Sequence, residues 1–250
     1  MSEENKEFVT LYLASIDRDY LLSGYDFYVA QAKNLIFPQF SNLEDVAKKY
    51  ADEWYNKAGL SFNSENDDPA DLAEQAYHEG IDYYLNLEEM KSSVYLAILS
   101  SIYHKWEKDL REWLVKEIRQ WAKNKVIYEK IWALTLPDII KLIESLGVPM
   151  SNMPKHSKLL TMSKVVNVFK HGDGKSFETL KKSNPEYFRR DGVTEEAWGN
   201  SYIRYEDLTI SEVQFDEFID SIIGFWESIP QYTYSHQAAE DLPAWFAKLL

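Results

Sequence analysis

The sequence predicts an all-α fold, a helical bundle with one long central helix and little or no β structure. From Ala70 to about Lys125 there is no proline, and the only glycine is Gly80, so one very long helix or two nearly collinear ones should form there. Within that stretch Tyr95, Ile98, Leu99, Ile102, Trp106, Leu110, Trp113 and Trp121 fall in a stripe roughly 140° wide at 100° per residue. That stripe is core-facing. Helix start and stop signals then recur through the rest of the chain.

Residues 4 to 22 read as a first helix, with Phe8, Leu11, Tyr12, Ile16, Tyr20 and Leu22 near a helical period and Ser23-Gly24 as its stop. A second segment runs from about Tyr25 to Phe37 and ends at Pro38. Asn42 can cap a third helix through about Ala58, which Gly59 stops. The acidic loop Ser64-Glu65-Asn66-Asp67-Asp68-Pro69 separates a helical arm (1–66) from a main bundle (67–230), and a tail (231–250) docks on it. After Pro137 a short helix spans Asp138 to Leu146 and ends at Gly147. A loop from Val148 to Pro154 leads to a helix from Lys155 to His171, closed by Gly172. Ser176 can cap a short helix toward Lys182, and Asn184 to Asn200 is loop-like. Tyr202 to Ile210 is the one weakly extended piece. Ser211 with Gln214 forms a capping-box signature for a helix from Glu212 to Ser228, which turns Phe215, Phe218, Ile219, Ile222, Phe225 and Trp226 inward before Pro230.

Composition narrows the function. The aromatic fraction is 15%, with 8 Trp and 17 Tyr, so few residues supply much buried area. With no cysteine there is no disulfide, no thiolate metal site and no cysteine nucleophile, and a reducing, cytoplasmic setting fits. The opening Met1-Ser2-Glu3-Glu4 carries acids where an export signal carries basic residues. No run approaches the roughly 18 apolar residues of a membrane span, so no membrane partner is expected.

Net charge is −14, which argues against nucleic acid, but its distribution is uneven. Residues 1–90 hold 6 basic and 19 acidic side chains, residues 91–184 hold 17 and 9, and residues 185–250 hold 4 and 13. The basic middle either pairs with the acidic flanks or forms a working surface between them.

Familiar catalytic motifs fail on spacing. Gly174-Lys175-Ser176 would need a phosphate-loop glycine where Phe169 stands, and it follows a helix, not a strand. The five histidines form no ligand pair, Asp67-Asp68-Pro69 lacks the alternation of a calcium loop, and no serine-hydrolase elbow occurs, so neither a metal nor another cofactor is expected.

What remains is the end of one helix. On a wheel, Leu159, Met162, Val165, Val166 and Phe169 form the buried side, while Lys164, Asn167 and His171 stand within about 60° of one another opposite them. One reading makes Lys170 and His171 simple neutralisers of the helix dipole. The other makes the face a site, with Lys170 and Lys175 beside it as substrate contacts. On the long helix, His104 and Arg111 are aligned with Glu107 between them; Arg111 either joins that face or pairs with Glu107 at the surface.

This stretch resembles the signature of the HEPN superfamily, all-helical proteins with the motif Arg-x4–6-His, often with a polar residue just after the Arg. Asn167 lies four residues before His171, where that polar residue lies in the shorter form, although Val166 occupies the Arg position. Lys164 lies seven before His171, matching the longer spacing with Lys for Arg. The bundle from about Ala70 to Pro230 is similar in kind. The resemblance implies a toxin or phage-defence protein, a homodimer with the motifs face to face, and metal-independent RNA cleavage with His171 as acid/base and Lys164 and Asn167 on the phosphate. Lys is a point charge where Arg is a planar fork, and some members are inactive binding proteins. A non-catalytic adaptor, or an acidic inhibitor capturing a partner protein through its acidic surfaces, is the alternative expectation.

Overall fold

The protein is described by a computed structural model covering residues 7–63, 65–150, 153, 155–188, 203–238 and 242–250. It is all-α. Its helices are α1 (Ser15–Gln31), α2 (Leu43–Gly59), α3 (Pro69–Ile118), α4 (Lys125–Ala133), α5 (Leu136–Ser145), α6 (His156–His171), α7 (Lys175–Ser183), α8 (Glu212–Ser228) and α9 (Ala244–Ala247). Two short strands, β1 (Val9–Tyr12) and β2 (Tyr232–Tyr234), pair antiparallel. The long helix α3 is continuous for 50 residues, as its proline-free sequence requires. Among the described residues no helix is long and apolar enough to cross a membrane.

The start of the chain corrects the expectation of a helix over residues 4–22, of which residues 4–6 lie outside the described residues. Val9 to Tyr12 are β-prone, and they pair with Tyr232 to Tyr234 in the register Val9↔Tyr234, Leu11↔Thr233 and Tyr12↔Tyr232. The buried Thr10 hydroxyl lies within donating distance of two carbonyls, those of Thr233 (3.0 Å) and Leu146 (3.2 Å), which share its one proton. Helix α1 then runs straight through Ser23-Gly24 to Gln31. The chain continues through a π turn (Ala32–Ile36) into a 3-10 turn (Phe37–Phe40) that holds Pro38.

Downstream most boundaries follow the sequence signals, but α3 ends at Ile118, short of Lys125, and α4 (Lys125–Ala133), capped by Asn124, is a helix that the sequence reading did not anticipate. Helix α8 opens on the Ser211/Gln214 capping box, with Ser211 Oγ accepting from the Gln214 N–H at 3.2 Å. Asn42 occupies the N-cap of α2 without a side-chain cap bond, and Pro137 stands inside the first turn of α5. Gly174, not Ser176, precedes α7. The weakly extended piece forms no strand: a 3-10 turn, Tyr205–Asp207, interrupts it between Arg204 and Leu208, whose backbones are extended, and Tyr202 lies outside the described residues. Of the two expected loops, residues 151, 152, 154 and 189–200 also lie outside, and Pro185–Phe188 is a 3-10 turn.

Two compact units compose the chain, Ala30–Ile98 and Met1–Val29 with Leu99–Leu250. These limits differ from those drawn at 66/67 and 230/231. In the first unit Phe37 stacks on Tyr95 (4.0 Å) and Tyr50 on Tyr83 (4.1 Å). A Cβ on Gly80 would meet the Ala51 Cβ at 2.9 Å, so the glycine lets α2 and α3 approach closely.

The second unit packs the C-terminal part of α3 against α8, with Trp106 edge-on to Phe225 (5.3 Å) and Trp113 edge-on to Trp226 (6.0 Å). Leu99, Ile102, Trp106, Leu110 and Trp113 are buried as the stripe predicts; Trp121 lies past the end of α3 and is half-buried. Tyr25 of α1 is fully buried and donates to Asp109 Oδ2 at 2.6 Å, and that burial, with the adjacent carboxylate, holds its phenol far above the ordinary tyrosine range.

Candidate functional site

Helix α6 ends as its sequence dictates. Gly172 takes φ +68° and donates its N–H to the Val168 carbonyl at 2.8 Å. A side chain there would be strained and would also press on the Tyr205 ring, 3.2 Å from an ideal Cβ. The last turn of α6 therefore lies against Tyr205, and Phe177 of α7 stands edge-on to the same ring at 6.5 Å.

On α6, Leu159, Met162, Val165 and Val166 are buried as expected. Phe169 is not: it is 38% exposed, and Val168 is buried instead. A side chain in a helix's last turn has no following turn to cover it. Lys164 and Asn167 are half-buried, His171 and Lys170 are exposed in the final turn, and Lys175 is exposed at the first position of α7. Helical spacing alone aligns Lys164, Asn167 and His171. The two cations in the last turn also suit the negative end of the helix.

Arg111 is the decisive neighbour. Helix α3 does face α6, because the Tyr103 hydroxyl donates to Ser163 Oγ at 3.0 Å, and burial pushes the Tyr103 phenol up to about 12. Yet the Arg111 guanidinium is spent on its own surroundings. It is 8% exposed and donates to the Glu107 carbonyl (3.1 Å), to Glu107 Oε1 (3.0 Å) and to the Leu134 carbonyl (2.9 Å). The Glu107–Arg111 pair thus forms, but as a buried brace between α3 and the end of α4. His104 stays half-exposed, with Nδ1 3.7 Å from Glu107 Oε2.

The basic middle of the chain is partly neutralised from within. Lys155 Nζ lies 2.9 Å from Asp220, and Lys158 Nζ bonds Glu217 and, at 3.3 Å, the Tyr187 hydroxyl. Burial acts to lower the Lys158 pKa, but the Glu217 carboxylate and the Tyr187 phenol hold it above the ordinary lysine value. Lys181 donates to the Ile203 carbonyl at 3.1 Å.

Neither of two shallow depressions holds a predicted site residue. One, about 350 Å³, is lined by Lys155, Asp220, Ile223, Gly224, Glu227 and Ser228; the other, about 170 Å³, by Tyr55, Gly59, Phe62, Pro69 and Leu72. Among the described residues no three His, Asp or Glu side chains stand together as a metal site.

A surface that no sequence motif marks lies in the Ala30–Ile98 unit, which holds 13 acidic and 5 basic residues. Tyr77 (66% exposed), Ile81 and Leu85 are all exposed at intervals of four on α3. Glu74 and Glu88 share that face by spacing, with His78 3.7 Å from Glu74 and Lys91 3.5 Å from Glu88, and desolvation together with the charges of Glu88 and of Glu44 on α2 raises the phenol pKa of Tyr84. The signal was legible in the spacing of Tyr77, Ile81 and Leu85, but a single-sequence reading assigns such a line to the core.

Compared with known proteins, the chain matches no family model, and no curated protein or solved structure matches it either.

Proposed function

We propose that this chain is a non-catalytic helical binding protein that captures a basic partner through its acidic Ala30–Ile98 unit. The observation that carries the reading is the exposed apolar line Tyr77, Ile81 and Leu85 on a unit with 13 acidic and 5 basic residues. Exposed aliphatic and aromatic side chains in a helical row, bordered by carboxylates, are the complement of an amphipathic helix whose polar edges carry Lys and Arg. The apolar row supplies affinity, and the carboxylates select the sign of the partner.

The ribonuclease reading needs a cation to clamp a phosphate beside His171. Arg111 makes three hydrogen bonds elsewhere, and Lys164 offers only a point charge. The HEPN resemblance accommodates this outcome, since its inactive members keep the bundle and lose the chemistry.

The test compares two activities of one preparation. A fluorescent Lys/Arg-edged amphipathic helical peptide should bind, a scrambled peptide of equal charge should bind more weakly, and Leu85→Lys should weaken binding at least tenfold while leaving the helical spectrum unchanged. Equal binding of both peptides, or binding indifferent to Leu85→Lys, overturns the proposal. So does cleavage of a mixed RNA in chelator that leaves 2′,3′-cyclic phosphate ends and is lost in His171→Ala.

A further inference from the structure

The link between α6 and α7 consists of Gly172, Asp173 and Gly174, and its last two residues form an Asp-Gly pair. Both are exposed. Among the described residues the Asp173 carboxylate has no hydrogen-bond or ion-pair partner, and the Gly174 N–H donates to no acceptor. Gly174 stands at φ +153° and ψ −169°, and an ideal Cβ built on it meets nothing within 4 Å.

These features meet the needs of one reaction, attack by a backbone nitrogen on the side-chain carboxyl carbon of the residue before it. The nitrogen must be free of a hydrogen bond, it must be uncrowded, and the carboxyl must be free to turn back toward it. Glycine removes the crowding, since it carries no Cβ. A helix forbids the reaction, because each N–H there is held by the carbonyl four residues back and the backbone cannot turn. Asp220-Ser221, another pair with a small second residue, lies inside α8, and Asp220 is also held by Lys155 at 2.9 Å.

We infer that Asp173-Gly174 is a modification site, at which the folded protein forms isoaspartate spontaneously. The Gly174 nitrogen gives up its proton and bonds to Asp173 Cγ, and one carboxyl oxygen leaves as water, which closes a succinimide ring. Water then opens the ring at either of its carbonyls. Opening at Cγ restores aspartate. Opening at the main-chain carbonyl of Asp173 leaves the backbone running through Cβ and Cγ, with the α-carboxylate free. The water lost on closure is regained on opening, and nothing is oxidised or reduced.

The product alters the structure beside it. Isoaspartate adds one carbon to the backbone between the Gly172 cap and α7. Gly172 and Phe177 both meet the Tyr205 ring, the first with an ideal Cβ 3.2 Å away and the second edge-on at 6.5 Å. A longer link must bulge outward or shift α7 against α6, next to the exposed His171. The site stands independently of the partner-binding reading, which concerns the Ala30–Ile98 unit.

Peptide mapping after ageing in heavy-oxygen water tests it. The native protein is held in that water for weeks near neutral pH and then digested in ordinary water. Trypsin cuts after Lys170 and Lys175, which separates His171–Lys175 from the pair Asp191-Gly192, outside the described residues. The short peptide should gain heavy oxygen and divide into two forms, one of which breaks at the Cα–Cβ bond of isoaspartate under electron-based fragmentation. Asp173→Glu should abolish the label, because its longer side chain disfavours ring closure. Asp173→Asn should speed it, because ammonia leaves more readily than water. Asp220 should stay unlabelled. The inference is overturned if the wild-type peptide takes up no label, or takes it up only when urea unfolds the chain. Label that persists in Asp173→Glu, or that appears equally at Asp220, overturns it as well.

Discussion

The indole of Trp113 donates to the backbone carbonyl of Tyr12 at 2.9 Å, fastening the end of the first strand to the long helix. Trp121 does the same to Thr10 at 2.8 Å. Two tryptophan indoles therefore bond two backbone carbonyls of the first strand.

This arrangement separates the tryptophans of the stripe. Trp106→Ala and Trp113→Ala should each destabilise the protein by roughly 3–5 kcal/mol, since both rings are buried against α8. Phenylalanine should distinguish them. Among the described residues the buried Trp106 indole N–H has no hydrogen-bond partner, whereas Trp113 loses a bond to Tyr12. Trp113→Phe should thus cost about 1 kcal/mol more than Trp106→Phe in equilibrium urea unfolding.

Glu117 is buried near the end of α3, and desolvation raises its pKa even though Lys116 and the Tyr12 N–H act to lower it. A carboxyl whose folded pKa exceeds its unfolded pKa favours folding when protonated. Its unfavourable contribution therefore grows as pH rises from the ordinary carboxylate pKa through the raised folded value. Glu117→Gln should be neutral in stability at acid pH and stabilising at neutral pH, as followed by thermal melts across that range. Stabilisation that is greatest at acid pH would contradict the sign.

Two glycines should respond oppositely to alanine. Gly147 has φ +102°, and a Cβ would lie 2.8 Å from Thr233 Cγ2 and 2.9 Å from Gln237 Cβ, so Gly147→Ala should cost about 2–4 kcal/mol. Gly224 lies within α8 with nothing within 4 Å of an added Cβ, so Gly224→Ala should gain up to about 1 kcal/mol. Melting temperatures of the two variants check both signs.

His171 is exposed in the last turn of α6. If it serves the helix end alone, His171→Ala should cost only several tenths of a kcal/mol. Lys164→Arg then leaves RNA untouched. Gain of chelator-resistant cleavage in Lys164→Arg would reinstate the catalytic reading, because Arg restores the two-pronged phosphate clamp at the longer motif spacing.

Where a signal is local, the sequence alone determined the result. The proline-free run gave α3, the serine–glutamine box opened α8, and Gly172 closed α6. Each rests on backbone chemistry within a few residues. The tertiary structure decided whatever depends on a distant partner. Val9 to Tyr12 carry a helical period, yet they form a strand because Tyr232 to Tyr234 lie beside them. Ser23-Gly24 reads as a stop, yet α1 continues, with an added Cβ at Gly24 meeting only the flexible Lys105 chain at 3.7 Å. Arg111 could equally have faced water or a phosphate; the Leu134 carbonyl settled its place, and no spacing rule could name that acceptor 23 residues away. Periodicity says which side chains share a face, whereas only packing says what, if anything, covers it. Trp106 and Tyr20 both sit on regular apolar rows, and one is fully buried while the other is 81% exposed.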